Sequence, residues 1–165
     1  MKNTLFLIRH SFAENAFDTS DFERTLTTEG FKYARLTGEF LKEEKFKPDT
    51  VLTSPATRTK QTAETFSEVV GFSMQLVQFA EVIYNASVRE LLELVNGIDP
   101  GAKHVAIIGH NPTITYFSEY LTGEEIASIS PSGVVKISFD KIKWGEISQR
   151  SGKFIKYFHP DHVQS

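Results

Sequence analysis

Two histidines each follow a short apolar run in this sequence. His10 comes after Leu5–Ile8 and Arg9, and His110 comes after the run 105–108. Continuous apolar runs of this length are typical of strands buried on both faces of a parallel sheet. Open α/β sheets bind ligands just beyond the carboxyl ends of such strands. The pattern therefore predicts two imidazoles and a guanidinium at one edge of a sheet, a combination suited to a phosphate group.

A second arginine lies near the start of a predicted helix. Ser54 and Pro55 are good helix-start residues, a serine cap followed by proline in the first turn, so Arg58 would lie close to the helix amino terminus. Backbone N–H groups and the helix dipole favour an anion there, and the guanidinium fork matches phosphate oxygens. With two histidines nearby, one imidazole can attack phosphorus while a second, protonated one stabilises an oxygen.

The elements that must position these residues alternate between strand and helix patterns. The predicted strands cover 4–9, 50–53, 74–79, 104–109, 133–139 and 153–158, and the predicted helices cover 27–45, 54–70, 88–95 and 111–121. On its buried face the first helix is expected to carry Phe31, Ala34, Gly38 and Leu41. This order predicts a three-layer α/β/α sandwich with a mostly parallel central sheet and a terminal hairpin at the sheet edge. We expect one domain over residues 1–158, followed by a frayed tail over 159–165.

Composition and charge exclude several classes of protein. The 165 residues are 40% hydrophobic and 24% charged, as in an ordinary globular protein, and the net charge of -3 argues against a nucleic-acid binder. Without cysteine there can be no disulfide, thiolate zinc site or cysteine nucleophile. Only four apolar residues lie between Lys2 and Arg9, so we expect neither a signal peptide nor a membrane span, and a cytoplasmic location is compatible with this. A zinc site on His10 and His110 is disfavoured because the adjacent arginines would repel the ion, so no metal or other cofactor is expected.

Four motifs, in their order and spacing, resemble those of the histidine phosphatase superfamily, and specifically of its small SixA-like branch. They are Leu7-Ile8-Arg9-His10, the segment 21–30 (DFERTLTTEG), the segment 54–63 (SPATRTKQTA) and the segment 108–112 (IGHNP). The resemblance covers nearly the whole length and implies a phosphoglycerate mutase-like fold.

The resemblance also implies roles for individual residues. His10 would be the nucleophile that becomes phosphorylated, with Arg9, Arg58 and His110 binding the phosphoryl group and no metal required. Arg24 matches a basic position that lines the pocket mouth in the small branch. From the residues alone, Arg24 could instead be a solvated loop arginine paired with Asp21 or Glu23.

Ser11 and Glu81 are two further candidate site residues. Ser11 stands where the wider superfamily usually has glycine, and could add a hydroxyl to the phosphate site or serve as a structural turn residue. Glu81 follows the third strand, where phosphomonoesterase and mutase branches place an acid that protonates the leaving oxygen. An alkoxide leaving group needs that proton far more than an imidazole does, so Glu81 as an effective acid would favour phosphate esters. A solvent-facing Glu81 would favour phosphohistidine.

Three functional hypotheses follow. The preferred one is a phosphatase acting on phosphohistidine carried by another protein, because a chain this short has little room for a lid and should leave the cleft open. The second is a small-molecule phosphomonoesterase of the same superfamily. The third is a non-catalytic phosphate binder, which the intact His10 argues against.

Overall fold

A computed structural model describes residues 1–161 as alternating strands and helices. The strands are β1 (Lys2–Arg9), β2 (Thr50–Thr53), β3 (Val77–Phe79), β4 (His104–Gly109), β5 (Val134–Asp140) and β6 (Lys153–Phe158), and the helices are α1 (Thr28–Glu43), α2 (Thr57–Val70), α3 (Val88–Asn96) and α4 (Thr113–Thr122). Short 3₁₀ turns at Asp21–Glu23 and Glu81–Ile83 lie in the loops after β1 and β3.

All six strands belong to one sheet, in the order β3-β2-β4-β1-β5-β6. Strands β1 to β4 run parallel to one another, whereas β5 pairs antiparallel with β1 and β6 pairs antiparallel with β5. The predicted mostly parallel sheet and its terminal hairpin are therefore confirmed.

The two faces of the sheet are covered by different pairs of helices, because side chains along a strand alternate between faces. Phe6 and Ile8 of β1 pack with α1 and α2, while Leu5 and Leu7 pack with α3 and α4. The predicted three-layer sandwich is thus confirmed. Both faces of β1 are buried, which explains why its sequence is a continuous apolar run.

The helix starts differ in detail from the predictions. Helix α1 begins as expected, with the Thr27 side chain accepting a hydrogen bond from the Gly30 amide. Helix α2 begins at Thr57, not at Ser54, because the Ser54 amide still donates to the Ile108 carbonyl at 3.2 Å and so prolongs the strand edge. Arg58 is consequently the second residue of the helix.

Helix α4 also starts later than predicted. Its first residue is Thr113, and Asn111 does not cap it. The Asn111 side chain instead accepts from the Thr115 hydroxyl at 2.7 Å and donates to the Ile129 carbonyl at 3.0 Å. It therefore holds the loop that precedes β5 against the helix.

Two further expectations, on the third strand and on Phe31, are wrong in detail. Residues Met74–Leu76 form a 3₁₀ turn capped by Ser73, so the third strand is limited to Val77–Phe79. Phe31 is 38% exposed, because Gly30 takes the inward position at that end of α1. Within the predicted tail Pro160 is buried, and residues 162–165 lie outside the described part of the chain.

Candidate active site

The register of β1 and β4 brings the two histidines together. Arg9 is the partner of Gly109 across this parallel pair, and the His10 amide donates to the Gly109 carbonyl at 3.1 Å. His10 and His110 directly follow the last residues of β1 and β4. They therefore lie side by side at the sheet edge, with their ring centroids 5.3 Å apart. The expected convergence at the carboxyl edge of the sheet is found.

His10 has the tautomer of a nucleophile. Its Nδ1 lies 2.6 Å from the Ser11 carbonyl oxygen, which can only accept, so Nδ1 carries the proton and Nε2 carries the lone pair. Burial lowers the pKa of His10 to about 3, even though the bond to Ser11 opposes this shift. The ring is therefore neutral at pH 7, with Nε2 facing the Arg58 Nε at 3.3 Å.

Arg58 lies between the two histidines and is only 5% exposed. Its NH2 group donates to the Nδ1 of His110 at 3.4 Å. Since an arginine only donates, Nδ1 of His110 is an acceptor, and the proton lies on Nε2, which bonds the Ser54 hydroxyl at 2.9 Å. Burial, with help from Arg58, lowers the pKa of His110 to about 4, so the protein alone leaves this ring neutral, contrary to the expected protonated form.

Arg9 presents an unused donor at the same edge. Its NH1 group donates to the Ile129 carbonyl at 3.0 Å, whereas Nε is buried and has no hydrogen-bond partner within residues 1–161. A buried N–H group without an acceptor is costly, and such a group commonly marks a ligand site. An anion bound beside His10 would supply the missing acceptor.

Asp21 and Tyr84 join the site from two loops, and sequence reasoning did not single them out. The Asp21 carboxylate accepts from Arg58 NH2 at 3.1 Å, from Arg24 NH1 at 3.0 Å and from the Tyr84 hydroxyl. The Tyr84 ring also packs edge-on against His110, with centroids 5.5 Å apart. The bond from Tyr84, then the one from Arg24, holds the pKa of Asp21 below its usual range, so the carboxylate is ionised. In the sequence, only the three-residue spacing between Asp21 and Arg24 indicated that these two side chains could pair.

Arg24 and Ser11 differ in how they relate to the site. Arg24 lies at its mouth, where it pairs with Asp21 and donates through Nε to the Glu14 carbonyl at 2.6 Å. Ser11 is fully buried, and its hydroxyl donates to the Gly30 carbonyl at 2.6 Å, away from the histidines. The structure thus favours the structural alternative for Ser11.

Glu81 is not brought to the histidines by any observed contact. It is an exposed residue at the start of the 3₁₀ turn after β3. Its carboxylate has no hydrogen bond or ion pair with any residue in the described range. This is the solvent-facing arrangement expected of an enzyme whose leaving group needs little acid.

A concave site lies at the edge of the sheet opposite the histidines. A cavity of about 510 Å³ lies between the amino-terminal ends of β2 and β4 and is lined by Asp49 and Asp99. Asp49 accepts from the amides of Lys103 and His104, and Asp99 accepts from the Gly101 amide. The Asp49 carboxylate therefore ties the start of β4 to the start of β2, and the Asp99 carboxylate stabilises its own turn. In the described range we find no group of three or more metal-ligating side chains, and no helix long and apolar enough to cross a membrane.

Comparison with known proteins agrees with this geometry. The family model of the histidine phosphatase superfamily (branch 1) matches residues 5–84, which include Arg9, His10 and Arg58. The phosphohistidine phosphatase SixA of Escherichia coli is 31% identical over 144 residues, covering 83% of this chain and 86% of that protein. The chain belongs to the histidine phosphatase superfamily. It is an enzyme of the phosphatase class and falls in the SixA-like branch.

Solved structures support the same fold. A structure assigned as SixA from Nakamurella multipartitia superposes with a TM-score of 0.84 at 26% identity, covering 97% of each chain. A phosphoglycerate mutase from Plasmodium falciparum superposes with a TM-score of 0.66 at 17% identity, covering 94% of this chain and 90% of that chain. The predicted phosphoglycerate mutase-like fold is confirmed.

Proposed function

We propose that this protein hydrolyses phosphohistidine on another protein, through a covalent phosphohistidine intermediate on His10. The observation that carries the mechanism is the neutral His10, which is held by Ser11 through Nδ1 and has its Nε2 beside Arg58. The E. coli relative named as a phosphohistidine phosphatase supports the substrate class.

In the first step, His10 Nε2 forms a bond to phosphorus while the bond between phosphorus and the substrate nitrogen breaks. The electron pair of that bond stays on the substrate ring, which leaves as neutral imidazole once its other nitrogen carries a proton from solvent. The transition state is loose and spreads charge over three oxygens, so the arginines contribute mainly by electrostatic stabilisation. Arg9 would contribute its unpartnered Nε, and Arg58 its fork.

His110 would change protonation state during this step. A phosphoryl dianion next to the ring raises the pKa of an imidazole, opposing the effect of burial and Arg58. A proton taken up on Nδ1 would turn His110 into a second donor to the phosphoryl oxygens while Nε2 keeps its bond to Ser54. Water then attacks phosphorus, and His10 recovers its lone pair as phosphate leaves.

The mouth of the site favours a substrate carried on a protein surface. The Asp21 side chain is 52% exposed, so this side of the site is accessible to solvent. Phe17 and Phe22, on the loop after β1, are 86% and 38% exposed, and Phe22 packs against Tyr84. Exposed aromatic side chains are typical of surfaces that bind proteins. The partner we propose is a cytoplasmic phosphohistidine carrier.

A turnover comparison tests the proposal. Phosphate release should be measured from a phosphohistidine carrier protein and from a panel of sugar and nucleotide phosphate esters. We expect kcat/KM to be at least about 100-fold higher for phosphohistidine, because no positioned acid assists an alkoxide. Intact-protein mass spectrometry after rapid quenching should show one added phosphoryl group on wild type and none on His10→Ala.

The matched control is His104→Ala, which removes an exposed histidine at the other end of β4 and should leave both turnover and the phosphoenzyme unchanged. Preference for a metabolite ester would establish the small-molecule alternative. Turnover by His10→Ala at the wild-type rate would refute the covalent mechanism.

A further inference from the structure

The Asp21 carboxylate occupies a position at the site that would suit a phosphate oxygen. It lies between two guanidinium groups, 3.1 Å from Arg58 NH2 and 3.0 Å from Arg24 NH1, and also accepts from the Tyr84 hydroxyl. Guanidinium forks bind carboxylate and phosphate oxygens through the same geometry. An acidic side chain of the protein therefore already engages the groups that an incoming anion needs.

The hydrogen bonds of Arg58 show which donors are already engaged before a phosphoryl group binds. Nε faces His10 Nε2, NH1 donates to the Asp21 backbone carbonyl at 2.7 Å, and NH2 is shared between the Asp21 carboxylate and His110 Nδ1. A phosphoryl group bound beside His10 would have to take over the NH2 donor. It would also lie close to an ionised carboxylate, which repels it.

We propose that Asp21 is an internal anion that competes with the phosphoryl group for Arg58 and Arg24, and so sets the affinity of the site for phosphate. This inference rests on the phosphate site of the proposed function. The competition weakens the binding of free phosphate, the product, so that the product leaves readily. A protein-borne substrate can compensate through contacts outside the pocket.

Removing the Asp21 charge should not displace Arg58. The strong bond from Arg58 NH1 goes to the Asp21 backbone carbonyl, which every substitution keeps. The guanidinium is also almost fully buried and remains in contact with both histidines. Asp21→Asn removes the charge and keeps the shape of the side chain and one oxygen acceptor, while the other oxygen becomes an amide NH2 group that can only donate.

The test is direct binding of oxyanions by isothermal titration calorimetry, with orthophosphate and tungstate as the probes. We expect Asp21→Asn and Asp21→Ala to lower the Kd of both anions by about three- to tenfold, the size of a partly exposed charge interaction. The matched control is Glu23→Gln, which removes an exposed carboxylate of the same 3₁₀ turn that bonds Ser20 and not the arginines. Its Kd values should equal those of wild type.

Three results would overturn the proposal. Equal or weaker binding in both Asp21 variants would mean that the carboxylate orients Arg58 for the anion instead of competing with it. An equal gain in oxyanion affinity in Glu23→Gln would mean that the effect comes only from the change in net charge. Absence of oxyanion binding in wild type and in both Asp21 variants would remove the phosphate site itself, and the proposed function with it. Tight binding in wild type without a gain in the variants would leave the proposed function intact.

Discussion

The positive charge and the planar shape of Arg58 make separate contributions to turnover, and two substitutions distinguish them. Arg58→Ala should reduce turnover of an aryl phosphate by about two to four orders of magnitude, because preorganised charge beside the transferring oxygens is lost. Arg58→Lys should still lose about tenfold or more, since an ammonium cannot keep the separate bonds to His10, Asp21 and His110. Steady-state kinetics with an activated aryl phosphate gives both values.

The control for this pair is Arg35→Lys, at a solvent-exposed arginine of α1 that pairs with Glu68. It should have wild-type kinetics. Near-wild-type rates for Arg58→Ala would remove Arg58 from the catalytic site.

Substitution of Glu81 tests how strongly turnover depends on protonation of the leaving group. Because its carboxylate is exposed and unpaired within residues 1–161, Glu81→Gln should leave hydrolysis of phosphohistidine within about twofold of wild type. The same variant should be assayed on an aryl phosphate and on an alkyl phosphate ester. A loss that grows with leaving-group basicity, reaching about two orders of magnitude for the alkyl ester, would identify Glu81 as a general acid for esters. Equal slowing on all three substrates would contradict the prediction.

The residues that sequence reasoning found and those it missed differ in how they reach the site. Arg9, His10 and His110 lie at strand ends, and Arg58 lies in the first turn of a helix, positions that hydrophobic periodicity and turn residues reveal. Asp21 and Tyr84 lie on two separate loops, and only the folded arrangement shows that they meet. Loop contacts of this kind have no period in the sequence, and only the spacing of Asp21 and Arg24 gave a local signal.

At the scale of elements, the contact between α1 and the loop after β1 supports the nucleophile. Ser11 donates its hydroxyl to the Gly30 carbonyl, and the Thr27 amide donates to the Phe12 carbonyl at 3.0 Å. A Cβ on Gly30 would lie 2.1 Å from the Phe12 carbonyl oxygen. Only glycine allows the helix start to approach the backbone of residues 11–12 this closely, and that backbone includes the carbonyl that fixes the tautomer of His10.

Gly30→Ala should therefore destabilise the fold despite the higher helix propensity of alanine. We expect a loss of about 1–3 kcal/mol in the free energy of unfolding, the usual cost of overpacking a tight contact, measured by urea denaturation. Gly97→Ala is the control, since its Cβ would meet nothing closer than 3.6 Å, and its change should stay within about 0.5 kcal/mol. Equal stability of the Gly30 variant and wild type would show that the loop moves freely away from α1.

At some helix starts, tertiary hydrogen bonds override the capping preference of the residue type. Ser54 has the residue type of a helix cap, but its hydroxyl is bonded to His110 and its amide to β4. The helix start therefore moves to Thr57. The Thr27 amide is also bonded, to the Phe12 carbonyl, but its hydroxyl accepts from the Gly30 amide, so Thr27 caps α1 as predicted.

At the scale of the whole molecule, the active-site histidines couple stability to pH. Burial lowers the pKa of His10 to about 3 and that of His110 to about 4, whereas in the unfolded chain both pKa values are about 6.5. Between these values the unfolded state binds more protons than the native state. The free energy of unfolding must then fall as pH is lowered below about 6.5.

The expected slope approaches about 1.4 kcal/mol per pH unit for each histidine that stays neutral in the native state. Urea denaturation between pH 7.5 and pH 5 isolates this effect, because Asp21, whose pKa is lowered on folding, affects stability only at more acidic pH. His10→Gln should lose less stability than wild type over this range, and a double variant with His110→Gln should lose less still. Parallel curves for wild type and the double variant would mean that neither ring is held neutral. In that event His10 would need deprotonation by another group before it could attack phosphorus, and the mechanism built on its Nδ1 bond to Ser11 would fail at its first step.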